Sequence, residues 1–367
     1  METRSPFMLR TSLLVCSLSS VPVFSVRSRA WTLPYNSRSL AMRSVNDQNL
    51  EKECVLVQTP VVGSKLHPLL GSMLHILEER YSVIYLVDDV DVAASRTPLS
   101  TIRALVARRE VSVDLIESLP NLGIIANHAV GTDNIDLDYC RRRGIRVTNT
   151  PDVGTDDVAD LAILLMLAVR RKLCKAHEFV RAGVWGETLF PLASKGSGLQ
   201  LGILGLGQIG MAIAKRAENF KYTISYHGRT QKPGVSYTFY SNLSELAANS
   251  DILVVACSLT DDTKHLVGED VLEALGPEGT LINIARGQII DECALVKSLV
   301  EKRLGGAGLD VFEDEPYVHK ELLNMDNVIL TPHVGSSTWE ARKVMAKLVQ
   351  DNIDAFFAGK PLPTPVV

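Results

Sequence analysis

Three residues of the types that move protons and grip carboxylates follow one another through the second half of the chain: Arg286 in "NIARG", Glu315 in "GLDVFEDEP" and His333 in "TPHVG". Each comes directly after a short apolar run bounded by Gly, Asp, Asn or Pro, the pattern of a strand covered on both faces. Ligands of doubly wound sheets lie outside the carboxyl ends of the strands, so such a fold brings all three to one crevice. Asp310, at the end of "GGAGLD", faces the same place. The set suits reduction of a 2-oxo acid. Histidine, with an ordinary pKa of about 6.5, delivers a proton to the forming alkoxide while a neighbouring carboxylate holds its ring. Arginine binds the substrate carboxylate as a fork and polarises the keto oxygen. His333 is therefore the expected acid/base, Glu315 its partner and Arg286 the substrate anchor. His67, His75, His177, His265 and His319 lack such placement and are expected to be structural or solvated.

A reductase of this kind needs a dinucleotide, and "GLGQIG" supplies the turn. The run follows the strand-like "LQLGIL" and opens the helix-like "MAIAKRAENF", the context in which GxGxxG carries meaning. Gly205 allows the tight turn, Gly207 lets the backbone approach the pyrophosphate, and Gly210 lets helix and strand pack closely. The pyrophosphate then meets free amides at a helix start. At the end of the next strand, "ISYHGRTQK" has no acid to accept hydrogen bonds from ribose hydroxyls. Arg229, with Thr230 and Lys232 beside it, instead offers donors to a 2'-phosphate. NADPH is the expected cofactor, with NADH possible.

These residues need a parallel sheet to hold them. From Cys54 onward, "CVLVQTP", "LLGSMLHILEERY", "SVIYLV", "IRALVAR", "VDLIESLP", "LGIIANHAVG" and "IRVTNTP" alternate short apolar runs with amphipathic stretches, as crossover-linked parallel strands do. A helix is expected over 155–182, started by Thr155 or Asp156 and followed by Gly183. A second alternating unit begins at "LQLGIL" and runs through "YTISYH", "DILVVACSL", "GTLINIAR", "GGAGLDVF" and "NVILTPHVG". The final "STWEARKVMAKLVQDNIDAFFAG" reads as a helix folding back onto the first unit, with "KPLPTPVV" as an extended tail. The fold class is α/β, with two doubly wound parallel-sheet domains. A Rossmann NADP-binding domain, 155–336, is inserted in a discontinuous flavodoxin-like domain, 54–154 and 337–367.

Composition sets bounds on partners. With 46% hydrophobic and 22% charged residues and a formal net charge of −4, the 367-residue chain has no chain-wide basic footprint for nucleic acid. No apolar run reaches the roughly 18 residues needed to span a membrane. Six scattered cysteines form no CxxC pair, so neither a zinc site nor a disulfide framework is expected. The first fifty residues are rich in Ser and Arg, with Glu2 the only acid before Val45, which reads as an organellar transit peptide or as an overextended start before Met42. The expected location is cytoplasmic, or plastid if residues 1–45 are a genuine transit peptide.

The stretches "AVGTDNIDL", "GIRVTNTPDV", "DDVADLAI", "GLGQIG", "NSDILVVACSLT", "LINIARG", "RLGGAGLDVFEDEP" and "TPHVGS" carry a resemblance spread over nearly the whole chain after Cys54. It resembles the D-isomer-specific 2-hydroxyacid dehydrogenases, and within them the plant glyoxylate/hydroxypyruvate and hydroxyphenylpyruvate reductases. The resemblance implies that the family's catalytic arginine, glutamate and histidine fall on Arg286, Glu315 and His333, and its nicotinamide-contacting aspartate on Asp310. It implies cofactor contacts that also include Leu206, Gln208, Ile209, Gly228, Ile284 and Ala285. Backbone amides of Val130 and Gly131 are implied to hold the substrate carboxylate, and the protein to be a homodimer without a metal. Hydroxypyruvate and glyoxylate are the implied substrates, with 4-hydroxyphenylpyruvate as an alternative and a dinucleotide-binding corepressor as a minority one. Two departures from the plant pattern fall on the substrate side: Arg108 and Arg109 replace small polar residues, and Asn127 and His128 stand before "AVGTD". At least one of the two arginines is expected on the surface.

Overall fold

The computed structural model describes residues 52–58, 61–62, 65–66, 76–86 and 98–367. The leader or overextended start read at residues 1–50 lies outside the described residues, as do His67, His75 and the beginning of "LLGSMLHILEERY". The described residues form one compact unit built on two parallel sheets.

In chain order the first lobe contributes β1 (Cys54–Gln58), the short antiparallel pair β2 (Val61–Val62) and β3 (Lys65–Leu66), then β4 (Ser82–Leu86), β5 (Ile102–Ala107), β6 (Ile124–Asn127) and β7 (Arg146–Thr148). Apart from that pair, the strands form one parallel sheet in the order β4-β1-β5-β6-β7. Counted among its own strands this is the flavodoxin-like order, whose switch point lies between the first strand and its inner neighbour, here β1 and β5. The central strands are apolar almost throughout, and β6 is buried at every position, because both faces are covered. Between them lie α1 (Val113–Ser118), started by Ser112 accepting from Leu115 N, and α2 (Leu137–Arg143), started by Asp136 in the same way.

The second lobe opens with α3 (Thr155–Arg170) and α4 (Leu173–Arg181). The single helix expected over 155–182 is therefore broken. Lys172 lies in the left-handed region at φ 52°, which ends the hydrogen-bond ladder. α3 carries six buried residues into the core and α4 carries none, so nothing packs the two into one axis. The start differs too: Gly154 is the cap, with no side-chain hydrogen bond, while Asp156 and Asp157 sit in the first turn, where the dipole favours them.

The second sheet runs β8 (Gln200–Leu204), β9 (Thr223–His227), β10 (Thr238–Tyr240), β11 (Ile252–Val255), β12 (Thr280–Asn283), β13 (Gly306–Leu309) and β14 (Val328–Leu330). Its spatial order, β10-β9-β8-β11-β12-β13-β14, is the Rossmann order extended by a seventh strand. β10 went unread because it is a three-residue edge strand with only partly buried side chains. Helices α5 (Gln208–Asn219), α6 (Leu243–Ala248), α7 (Glu269–Leu275) and α8 (Glu292–Val300) cross between these strands.

The chain then returns. In α9 (Trp339–Phe357), Ala346, Val349 and Ile353 pack into one core with Val55, Val57, Ala104, Val106 and Ile124 of the first sheet. The tail adds to the edge of that sheet, with Val366 N donating to Val147 O at 2.7 Å. Fully buried Asn352 ties helix to tail: its Nδ2 donates to Thr364 Oγ1 at 2.9 Å and its Oδ1 accepts from Thr364 N. Thr364 Oγ1 in turn donates to Asn149 O. Asn352→Ala strands these groups without water and should cost about 2–3 kcal/mol in urea unfolding; a loss under about 0.5 kcal/mol would mean the tail is held by apolar contact alone.

Candidate active site

The glycine turn between β8 and α5 is shaped by contact as well as by conformation. Gly205 has φ 94°, and a Cβ there would lie 2.6 Å from the Cys257 backbone. A Cβ on Gly210 would meet Gly205 O at 2.2 Å, so any side chain would push helix from strand. Gly207 differs: a Cβ on it would meet nothing within 4 Å, so this side of the turn is open. Gly207 also begins α5 without a side-chain cap, leaving first-turn amides of Gln208, Ile209 and Gly210 for an anion. Beneath the turn, burial pushes the Cys257 thiol up to about 11.

The end of β9 lies against this turn, with Gly205 N donating to His227 O at 2.9 Å. Gly228 is half-buried, and Arg229 and Thr230 are exposed. No hydrogen bond or ion pair to the Arg229 side chain is formed among the described residues. Lys232 is set by its backbone, which donates to Tyr226 Oη at 2.8 Å. An anion-binding turn beside an unneutralised arginine fits a dinucleotide.

Across the sheet, β12, β13 and β14 end at the predicted chemistry. His333 Nδ1 pairs with Glu315 Oε2 at 2.8 Å, which leaves Nε2 as the nitrogen that faces a reactant. Burial alone would raise the Glu315 carboxyl. The hydrogen bond and charge of His333, the Phe312 N–H and the charge of Arg286 outweigh it and hold the group below its ordinary value. The loop that presents His333 is organised by Asp310, which is 1% exposed. Its Oδ1 accepts from Thr331 Oγ1 at 2.7 Å and Val334 N at 2.8 Å, and its Oδ2 from Gly335 N at 2.8 Å. His333 itself lies in the left-handed region at φ 51°, its N–H on Asp310 O. Asp310 thus directs its carboxylate into the loop that carries His333. Gly287 brings the Arg286 turn against the Glu315 turn so closely that a Cβ would fall 1.8 Å from the Phe312 carbonyl carbon.

Arg286 projects from a turn that sequence reading left unexplained. Buried Asn283 shapes it by donating to Arg286 O and accepting from Ala285 N. The guanidinium reaches the first lobe and binds Asp133 with two parallel bonds, from Nε and Nη2, each 3.0 Å. A third goes from Nη1 to Ala285 O at 2.8 Å. One N–H therefore remains on each terminal nitrogen. Asp133 holds the residue that was expected to hold substrate, a role missed although "AVGTD" was noted. The signal was an acid two residues after a glycine that abuts the arginine: a Cβ on Gly131 would lie 2.2 Å from Arg286 Nη2. Val130, 42% exposed, adjoins it.

Residues 163–335 match the model of the D-isomer specific 2-hydroxyacid dehydrogenase NAD binding domain. The chain is 56% identical over 269 residues to a hydroxyphenylpyruvate reductase of Plectranthus scutellarioides, covering 73% of this chain and 86% of that protein. It belongs to the D-isomer-specific 2-hydroxyacid dehydrogenases. A glyoxylate/hydroxypyruvate reductase of Arabidopsis thaliana is 52% identical, over 79% of this chain and 94% of its own. Among solved structures, the NADPH-dependent glyoxylate/hydroxypyruvate reductase of Sinorhizobium meliloti, in complex with NADP and malonate, superposes with a TM-score of 0.80 at 39% identity, covering 86% and 97% of the two chains.

In this dehydrogenase the unusual substrate-side residues are not at the surface. Arg108 and Arg109 are both half-buried, because β5 ends at Ala107 between β1 and β6, and the residues that follow lie over the middle of the sheet. Gln58, at the end of β1, accepts from Arg108 N and Arg109 N. Burial, and then the nearby charges of Arg108 and Arg342, hold His128 down at about 3. It is neutral in the fold but takes up a proton on unfolding below about pH 6.5. The unfolded chain then binds the extra proton, so stability falls as pH drops from about 6.5 towards 3. His128→Asn should flatten the melting temperature across that window; an unchanged slope would place the acid sensitivity elsewhere. Asp310→Ala should cut turnover at least tenfold while leaving nucleotide affinity within about threefold, because it frees the His333 loop alone. Undiminished turnover would remove Asp310 from that role.

Proposed function

We propose that this protein reduces hydroxypyruvate and glyoxylate to D-glycerate and glycolate, with NADPH preferred and NADH accepted. The observation that carries the reading is the His333–Glu315 pair facing an Arg286 fork that lies against Gly131, all at strand ends beside an anion-binding glycine turn. The names of the plant relatives and of the Sinorhizobium enzyme support it.

When bound, the reduced dinucleotide supplies a hydride to the keto carbon. The amides of Val130 and Gly131 and the two remaining Arg286 N–H groups take the substrate carboxylate and keto oxygen, while Asp133 keeps the guanidinium plane fixed. His333 donates its Nε2 proton to the forming alkoxide, and Glu315 stabilises the ring through Nδ1. Gly205 to Gly210, including Leu206, would hold the pyrophosphate. Gly228, Arg229 and Thr230 would hold a 2'-phosphate, and Ile284, Ala285 and Asp310 would lie on the nicotinamide side. In this scheme residues 54–154 with 337–367 are the substrate lobe and 155–336 the nucleotide lobe. Cytoplasm is the proposed location, or plastid if residues 1–45 direct import. No helix among the described residues is long and apolar enough to cross a membrane.

We also infer a homodimer built on the nucleotide lobe. Trp185, Leu189 and Leu192 are 77%, 96% and 94% exposed, and Leu173 and Val180 of α4 are more than half exposed. An apolar surface of that kind is characteristic of a protein contact. 4-Hydroxyphenylpyruvate is the second reading, favoured by the 56% identity to the Plectranthus enzyme.

Side-by-side rates with the three acids test the reading; negligible turnover of both hydroxypyruvate and glyoxylate would overturn it. His333→Ala should lose at least a hundredfold in kcat with NADPH affinity nearly intact. Arg229→Ala should raise the KM for NADPH roughly tenfold and that for NADH hardly at all. Equal effects on both nucleotides would make Arg229 a surface charge. Light scattering should give twice the chain mass, and a monomer at micromolar concentration would refute the dimer.

A further inference from the structure

The carboxyl end of the first sheet holds a second cluster that the proposed chemistry does not use. Arg108 follows β5 at the switch point beside β1, the place where ligands of such sheets bind. His128 follows β6, where Ala107 and Asn127 are register partners, and its N–H donates to Ala107 O at 2.9 Å. Arg342 comes from the first turn of α9, nine residues after His333. Arg342 acts on Arg108, and both act on His128, after burial and with no acid among the causes.

Among the described residues, no acid pairs with either guanidinium. The partners of Arg342 among the described residues are neutral: Ser337 Oγ at 2.9 Å and Met345 Sδ at 3.8 Å. No hydrogen bond or ion pair to the Arg108 side chain occurs among the described residues, and burial pulls Arg108 down to about 10. His128 is 6% exposed, and its Nδ1 has no hydrogen-bond partner among the described residues. Two partly buried like charges and an unsatisfied ring nitrogen are an unfavourable arrangement unless an anion joins them. A short segment leads from this cluster to the fork: His128 is followed by Ala129, Val130 and Gly131, and Asn127 Nδ2 donates to Gly131 O at 2.6 Å. Asn149 Nδ2 donates to Val130 O and steadies the same segment.

We propose that Arg108, His128 and Arg342 form a second anion subsite, which selects 2-oxo acids carrying another carboxylate at the end away from the keto group. This rests on the reductase reading: Arg286 and the Val130–Gly131 amides take the first carboxylate, and the cluster takes the second. A neutral aromatic ring in the same place would leave both half-buried guanidiniums without a counter-charge from the ligand.

The test uses the full-length protein saturated with NADP+, titrated calorimetrically with 2-oxoglutarate, 2-oxosuccinate and pyruvate. The diacids should bind about tenfold or more tightly than pyruvate, a ratio that Arg108→Gln and Arg342→Lys should both collapse towards one. Diacid binding no tighter than pyruvate, or a preference unaffected by either substitution, would overturn the subsite. Thermal melts of both variants establish that each is folded, and Arg342→Lys retains the charge while losing the fork. Turnover of hydroxypyruvate by the unmodified protein decides the reductase reading separately. Normal turnover without diacid preference sinks the subsite alone, and no turnover of any 2-oxo acid sinks the reading.

Discussion

One ion pair spans the two halves of the proposed site: the two-bonded contact between Arg286, which follows β12, and Asp133, which follows β6. Each sheet on its own ends in half a constellation. The Rossmann lobe presents an arginine, a glutamate–histidine pair and a nucleotide turn, and the flavodoxin-like lobe presents the amides of Val130 and Gly131. The Arg286 fork sets their relation, because it fixes the guanidinium plane against a glycine that leaves it room. A planar, always-charged group is suited to this, since it binds a protein carboxylate on one edge while keeping donors for a ligand.

Behind this contact, each candidate catalytic group is fixed by a hydrogen bond from its own surroundings, two of them through the buried side chains of Asp310 and Asn283. Asp310 gathers three donors from the His333 loop, Asn283 closes the Arg286 turn, and Glu315 holds the imidazole. Such support permits a positive-φ histidine to persist, since the local cost is offset by hydrogen bonds formed out of water. The return of α9 and the tail to the first sheet also ties the lobes covalently at both ends of the inserted unit.

Much of this was legible in the chain. Apolar runs bounded by turn residues identified the strands of both sheets apart from β10, whose three residues are too short and too exposed to show a pattern. Strand ends located Arg286, Glu315 and His333, and the glycine spacing located the nucleotide turn. Less legible were residues whose roles depend on a neighbour distant in sequence. Asp133 acts through an arginine 153 positions later, and Gln58 fixes a turn fifty residues on. The break at Lys172 was hidden because helical periodicity continues through it, although its backbone is left-handed and α4 buries no residue. At least one of Arg108 and Arg109 reads as a surface charge in the sequence, because nothing local shows that β5 ends at the centre of its sheet, where both are half-buried.

The most direct test of the account is a crystal structure with NADP and oxamate, an unreactive analogue of a 2-oxo acid. The account predicts the oxamate carboxylate on the Val130 and Gly131 amides and the remaining Arg286 N–H groups, its carbonyl oxygen facing His333 Nε2, and Asp133 still paired with Arg286. Oxamate bound away from Arg286, or His333 turned from it with the Glu315 contact broken, would contradict the account.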